Sequence, residues 1–288
     1  MEKVLVCGTN FHARQIVRRL RKKNDVLVIG IVDFTTAHSV KTFMGFDIYD
    51  YSEVGDLVFD KLVVAGRYVP EVVNRLLKLE INPERIVELT RKDFAFNEEE
   101  TFERSKRIWE MLDIFLNFCK KQELKYHLAA GSVLAVLRDQ KFSWFADVDI
   151  AVPWAILDSK SSELISHFAD YLHYTRYRNE VSGKCDINRN ISQIVFMSSS
   201  NEAEIEPAIL DIHALELIED EARMYVGRSD FLTSDRVHFT GFRTVQLEGR
   251  TLCLPDRAET YVEQLYGEGW REPVERFYYA SHRTRGSL

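Results

Sequence analysis

The stretch FSWFADVDIAV, residues 142–152, sets two aspartates, Asp147 and Asp149, one residue apart inside an otherwise apolar run. In a strand, alternate side chains share a face, so both carboxylates point one way while Val148 and Ile150 point into the opposite layer. Charges held side by side repel, and in a half-buried setting each raises the other's pKa unless a cation lies between them. Mg²⁺ suits such a pair, because it takes one or two carboxylates together with phosphate oxygens and keeps some of its waters.

A third acid interrupts an apolar strand downstream in AILDIHAL, where Asp211 shares a face with Ile209 and His213. Three carboxylates on neighbouring strands can hold a catalytic metal pair and leave one acid to take a proton, an arrangement suited to phosphoryl transfer. Upstream, Gly131-Ser132 leads into the helical-looking VLAVLRD and can offer backbone N–H groups and a hydroxyl to a phosphate. Arg138 either clamps a phosphate with its fork of donors or pairs with a neighbouring acid, and Lys141 is a weaker candidate of the same kind. His213 orients Asp211 or an acceptor, or is a structural histidine of a half-buried strand, and His127 beside the Gly-Ser turn reads the same two ways. A lone DxD is also compatible with a solvated turn edge. The ordered set of Gly-Ser turn, helix, Asp-Val-Asp and later strand aspartate matches the nucleotidyltransferase-fold pattern instead.

The chain has 288 residues, 45% of them hydrophobic and 29% charged, an ordinary globular profile with room for two domains. No run approaches a transmembrane span, and EKVLVCG is too short and wrongly flanked for a signal peptide, so a cytoplasmic protein is the expectation. A net charge of -7 argues against a protein that coats nucleic acid. Cys7, Cys119, Cys185 and Cys253 form no CxxC pair and no zinc spacing, and read as small buried residues in a reducing compartment.

Residues 1–92 alternate short β-branched runs (KVLVCG, VLVIGIVDF, KLVVAG, RIVEL) with helical patterns (FHARQIVRRLRKK, VPEVVNRLLKLE), which predicts a Rossmann-like α/β domain with a parallel sheet. Gly8-Thr9-Asn10 leads from the first strand into a helix, and Asp33 follows the second strand where a ribose-binding acid stands in dinucleotide sites. Only the first glycine of GxGxxG is present, the other two places holding Asn10 and Ala13. Gly8, Asn10 and Asp33 are therefore candidates for a phosphate or nucleotide of unspecified type, against a purely structural βαβ unit.

The polar segment around residues 93–104 predicts a linker, and residues 105–288 a second, α+β domain. Its first helix buries Ile108, Met111, Leu112, Phe115, Phe118 and Cys119 at helical spacing, with Arg104, Arg107, Lys120 and Lys121 among the polar positions. A polar helix is expected around 158–173, then strands at QIVFM, AILDIHALEL, RMYVG and RTVQLEGRTLCL, and a last helix in AETYVEQLYG.

Three separated motifs in this second part resemble the LicD and fukutin-like phosphotransferases. GSVLAVLR followed by Phe142, Trp144 and Asp147-Val148-Asp149 is similar to that family's GTLLGAVR, aromatic pair and DDDID run. Asp211-Ile212-His213-Ala214-Leu215 is similar to its DIFPL, and LPDRAETYVEQLYGEGWREP, through Tyr266, Gly267, Trp270 and Pro273, to its YGxxW…P element. The resemblance spans roughly residues 101–277; the first part instead looks like small Rossmann-like modules attached to bacterial surface-glycan enzymes.

The resemblance implies transfer of a phosphocholine or phosphoalditol group from a CDP-linked donor to a glycan hydroxyl, with release of CMP and with the acceptor capsular or lipid-linked, hence peripheral contact with the latter. It implies that Asp147 and Asp149 hold Mg²⁺ or Mn²⁺ against the diphosphate, and that Asp211 completes the metal site or takes the acceptor's proton. The sequence departs from the family where Phe145 and Ala146 replace two acids, Ala129 another, and Ala130 the first of two glycines.

Overall fold

The computed structural model describes residues 1–9, 11–33, 42–64, 69–89, 98–142, 147–177, 191–198, 207–226, 230–272 and 285–287. The chain divides into two compact units whose main parts are Met1–Ala95 and Phe96–Pro273.

In the first unit, strands β1 (Glu2–Cys7), β2 (Val26–Asp33), β4 (Phe46–Asp50), β5 (Lys61–Val64) and β6 (Ile86–Glu88) run parallel, and β3 (Thr42–Phe43) adds an antiparallel edge to β4. Their order, β3-β4-β2-β1-β5-β6, places the five parallel strands as third, second, first, fourth and fifth. That is the doubly wound order, with its direction reversing between β1 and β5. Alternate residues of β1 feed two cores: Val4 and Val6 join Ala13, Ile16 and Val17 of α1 (Phe11–Arg21) on one face. Leu5 and Cys7 join Tyr51, Val54 and Leu76 of α2 (Val69–Lys78) on the other. Burial on both faces explains why these strands read as continuous apolar runs. At Gly30 the register shifts, and a Cβ there would lie 2.3 Å from the Tyr49 ring. Only glycine permits that approach of β4 to β2.

The second unit starts with α3 (Glu98–Gln122), a 25-residue helix. The expected linker over 93–104 is therefore corrected: 98–104 is already helical, Glu99 and Glu100 in its first turn favouring an N-terminus there, and 93–97 lie outside the described residues. Ile108, Met111, Leu112, Phe115, Phe118 and Cys119 are all in the core, as their spacing predicts. Arg104 is corrected: it is 1% exposed, and its Nη1 donates to the Pro207 carbonyl at 2.6 Å.

The chain continues through β7 (His127–Leu128), α4 (Ala130–Leu134, extended by a wide turn to Asp139), β8 (Val148–Pro153) and α5 (Trp154–His167). It then enters β9 (Leu172–Tyr177), β10 (Ile191–Met197), β11 (Ile209–Ile218), β12 (Glu221–Tyr225) and β13 (Asp230–Asp235). A hairpin of β14 (Phe242–Leu247) and β15 (Arg250–Pro255), then α6 (Ala258–Tyr266) and β16 (Arg285–Ser287), complete it. The helix expected over 158–173 is shifted to 154–167, and 172–177 is a strand.

The ten-residue β11 is the spine of the sheet. Its first half pairs antiparallel with β10 and parallel with β8, while its second half pairs with β12. A mixed α/β fold with parallel strands is the result. Cys7 and Cys119 are buried and Cys253 partly so; burial pushes the first two thiols up to about 12. Cys185 lies outside the described residues. No helix among the described residues is long and apolar enough to cross a membrane.

Candidate functional site

β8 is buried except where Asp149 and Pro153 break the pattern. Its parallel pairing with β11 sets Asp149 directly opposite Asp211, with Val148 opposite Leu210 and Ile150 opposite Ile212. Residues opposite one another share a face, so the two carboxylates project from the same side of the sheet. Asp147 precedes the first residue of β8 and reaches the Asp211 carboxylate, on which its charge acts. The three acids singled out in the sequence do converge.

Asp211 is 8% exposed, and its Oδ1 is buried with no hydrogen-bond partner among the described residues. Burial first, and then the charge of Asp147, hold its pKa well above the ordinary carboxylate range, with His213 pulling the other way and Asp149 adding to the rise. Three carboxylates this close do not all ionise without a compensating cation.

His213, two residues along β11 on the same face, is 2% exposed. Its Nδ1 lies 2.8 Å from the Tyr225 carbonyl on β12 and its Nε2 3.0 Å from Asp149 Oδ1. Burial lowers its pKa, but the hydrogen bond to Asp149 and the charges of Asp149 and Asp211 outweigh burial and leave it raised. Both ring nitrogens thus face protein atoms, one of them an acid of the cluster. The ligand atoms of Asp149, Asp211 and His213 lie within 4.8 Å of one another. Two carboxylates and an imidazole, one carboxylate oxygen lacking any donor, fit a divalent cation.

The first turn of α4 fixes Asp149 from the other side. Asp149 N–H donates to Ser132 Oγ at 2.7 Å, and Ala129 N–H donates to the Asp149 carbonyl at 3.0 Å. Ser132 is 1% exposed and its own N–H is taken by the Ala129 carbonyl, so the expected phosphate contact is corrected: this hydroxyl holds β8. A Cβ on Gly131 would sit 3.6 Å from Asp149 Oδ2, so its backbone faces the acids. Ala130 takes a positive φ of 41° and donates its N–H to the buried Tyr261 hydroxyl of α6 at 3.0 Å. Tyr261 thereby ties the C-terminal helix to this loop.

Arg138 does not face the acids with a free fork. It pairs with Asp139 through Nε–Oδ1 at 2.8 Å and Nη2–Oδ2 at 2.9 Å, the neighbouring-acid alternative. Lys141 is exposed. Trp144, Phe145 and Ala146 lie outside the described residues. In the first unit, Gly8 has φ 90°, Thr9 donates its hydroxyl to the Asp33 carboxylate, and Asn10 lies outside the described residues.

Sequence reading missed β9. Tyr174 is opposite Val195, Val195 opposite Asp211, and Asp211 opposite Asp149, so one row across four strands carries Tyr174 and both acids on one face. The row beside it runs Arg176, Gln193, His213. Arg176 donates to Gln193 Oε1 at 2.7 Å and to the Tyr174 hydroxyl at 3.2 Å, its guanidinium 5.1 Å from the Tyr174 ring centre. Burial raises the Tyr174 pKa, Arg176 lowers it, and the charges of Asp211 and Asp147 add to the rise. The signal was the alternation in HYTRY, obscured by its polar composition.

The family described as C2185-like, N-terminal, matches residues 1–87, within the first unit. No curated protein matches the chain. Among solved structures, the lincosamide antibiotic adenylyltransferase LnuA, lincomycin-bound, is similar at 16% identity and TM-score 0.34 over 58% of this chain and 89% of that one. The UDP-N-acetylglucosamine 3-dehydrogenase GnnA from Acidithiobacillus ferrooxidans is similar at 13% identity and TM-score 0.24, over 96% and 91%. A Gfo/Idh/MocA family oxidoreductase from Vibrio cholerae is similar at 9% identity and TM-score 0.26, over 94% and 88%. Likenesses of this size leave the fold to rest on strand order and register.

Proposed function

We propose that the second unit has the nucleotidyltransferase fold and, with Mg²⁺ or Mn²⁺, transfers a phospho-substituent of the phosphocholine or phosphoalditol kind from a CDP-linked donor to a glycan hydroxyl. The observation that supports this most is the Asp149–Asp211 pair, in register across two parallel strands, with Asp147 against it and a buried oxygen that has no donor among the described residues. A divalent cation bound there supplies charge neutralisation for a diphosphate.

In this reading Asp147, Asp149 and Asp211 are the acids of the metal site, and Ser132 holds Asp149 in place through its backbone N–H. The acceptor hydroxyl attacks the phosphorus of the transferred group. Its proton passes to a carboxylate of the cluster, and the bond from that phosphorus to the CMP oxygen breaks, CMP leaving with the electron pair. In-line transfer of this kind needs positioning and electrostatic stabilisation more than covalent chemistry. Arg176 and Tyr174 lie along the same face and suit an anionic, aromatic donor. The acceptor is a capsular or lipid-linked glycan, reached without a membrane span.

The test is incubation with Mg²⁺ or Mn²⁺ and CDP-choline, CDP-ribitol, CDP-glycerol and nucleoside triphosphates, each with glycan acceptors. The proposal expects CMP from a CDP-linked donor, lost in Asp147→Ala, Asp149→Ala and Asp211→Ala. Pyrophosphate from a triphosphate would show a nucleotidyltransferase instead, and binding without turnover a non-catalytic relative.

A further inference from the structure

We propose that His213 is itself a metal ligand through Nε2, making the centre an imidazole-plus-two-carboxylate site that favours a first-row transition ion such as Mn²⁺ over Mg²⁺. The inference rests on the metal-dependent reading above and deepens it.

The argument starts from the Tyr225 carbonyl. A carbonyl only accepts, so the ring nitrogen 2.8 Å from it, Nδ1, carries a hydrogen. In the neutral ring Nε2 is then a bare lone pair. It points at Asp149 Oδ1, 3.0 Å away, which is also an acceptor. Two acceptors at that distance need a proton or a metal ion between or beside them. Nearby, buried Asp211 Oδ1 likewise has no donor among the described residues. Three electron-pair donors within 4.8 Å therefore converge. Ligands bound at roughly 2.0–2.2 Å from one ion lie within about 4.4 Å of each other, so only a small adjustment separates this arrangement from a coordination sphere.

The backbone supports the same assignment. A metal-bound histidine almost always donates its second N–H to a carbonyl, carboxylate or water, which fixes tautomer and ring plane, and β12 supplies that carbonyl here. The Asp211-x-His213 spacing puts both donors on one face of β11, and the register with β8 brings Asp149 to them. Nitrogen in the donor set shifts preference toward transition metals, since Mg²⁺ seeks oxygen and near-ideal octahedral geometry.

The test uses the full chain, stripped of metal by chelation and loaded with Mn²⁺. Pulsed electron paramagnetic resonance is expected to show ¹⁴N modulation from a directly coordinated imidazole, replaced by a ¹⁵N pattern on histidine labelling. His213→Asn should remove the modulation and weaken Mn²⁺ binding by about 10–100-fold while changing Mg²⁺ binding less than about 3-fold. Bound Mn²⁺ that depends on Asp149 and Asp211 but shows no nitrogen modulation in the wild-type protein would overturn the inference and leave the metal-dependent reading standing. Failure of folded wild-type protein to bind either ion would overturn both.

Discussion

Asp211→Asn separates stability from function in a direction that ordinary core mutations do not. The wild-type carboxyl is buried beside Asp147 and Asp149 and has an oxygen without a donor among the described residues. Leaving such a group unsatisfied costs about 1–3 kcal/mol, and each unit by which a folded-state pKa is raised corresponds to about 1.4 kcal/mol of disfavoured ionisation. Asparagine keeps the shape, has no proton whose retention costs stability, and adds an N–H₂ group that can donate to a neighbouring carboxylate. Metal-free Asp211→Asn should therefore be more stable than wild type by about 1–3 kcal/mol at pH 7.5 in urea unfolding.

The pH dependence has a defined sign. A carboxyl with a raised folded pKa keeps its proton in the fold where the unfolded chain has released it. Wild-type stability is therefore penalised at high pH and regained as pH falls toward the ordinary value of 3.8. The gap between variant and wild type should narrow from pH 7.5 to pH 5. Adding Mn²⁺ at about 1,000 times its dissociation constant should stabilise wild type by about 4.1 kcal/mol and the variant far less, reversing the order. A metal-free variant less stable than wild type at pH 7.5 would refute the reasoning.

Ser132→Ala removes the buried acceptor of the Asp149 N–H and should cost about 1–3 kcal/mol in urea unfolding, with weaker Mn²⁺ binding by calorimetry. His127, whose pKa burial lowers against the opposing Gly241 carbonyl, takes up its proton less readily in the fold than in the unfolded chain. Wild-type stability should thus fall as pH drops below about 6.5, and its advantage over His127→Gln should shrink between pH 7.5 and 5 in matched unfolding curves. Arg176→Ala should raise KM for an anionic donor about 10-fold with kcat within about 3-fold, as removal of a ground-state contact does; an unchanged KM would take β9 out of the donor site.

The apolar runs of the first unit announced its parallel strands because burial on both faces leaves no polar alternation to confuse the reading. The short β3–β4 pair went unread because its mostly half-buried residues, with aspartates among them, lack that signature. In the second unit, alternation placed Asp147 with Asp149 and Asp211 with His213, since a period of two is a local property of one strand. That Asp149 faces Asp211 was not legible. The register of β8 against β11 joins segments 62 residues apart, and tertiary packing sets it.

Arg104 and Ser132 show the same limit. A helical arginine reads as solvated until the Pro207 carbonyl approaches from before β11. A serine after glycine reads as an anion contact until the Asp149 N–H takes its oxygen. The HYTRY strand went unread because it forms an exposed part of the sheet beside β10, where burial does not select apolar residues.

The most direct test of the metal centre is an anomalous difference map from a crystal of the full chain grown with Mn²⁺. The account predicts a peak at about 2.0–2.3 Å from oxygens of Asp149 and Asp211 and from Nε2 of His213. A well-ordered Asp149–Asp211–His213 cluster with no peak among these atoms, at Mn²⁺ concentrations that support turnover, would contradict it.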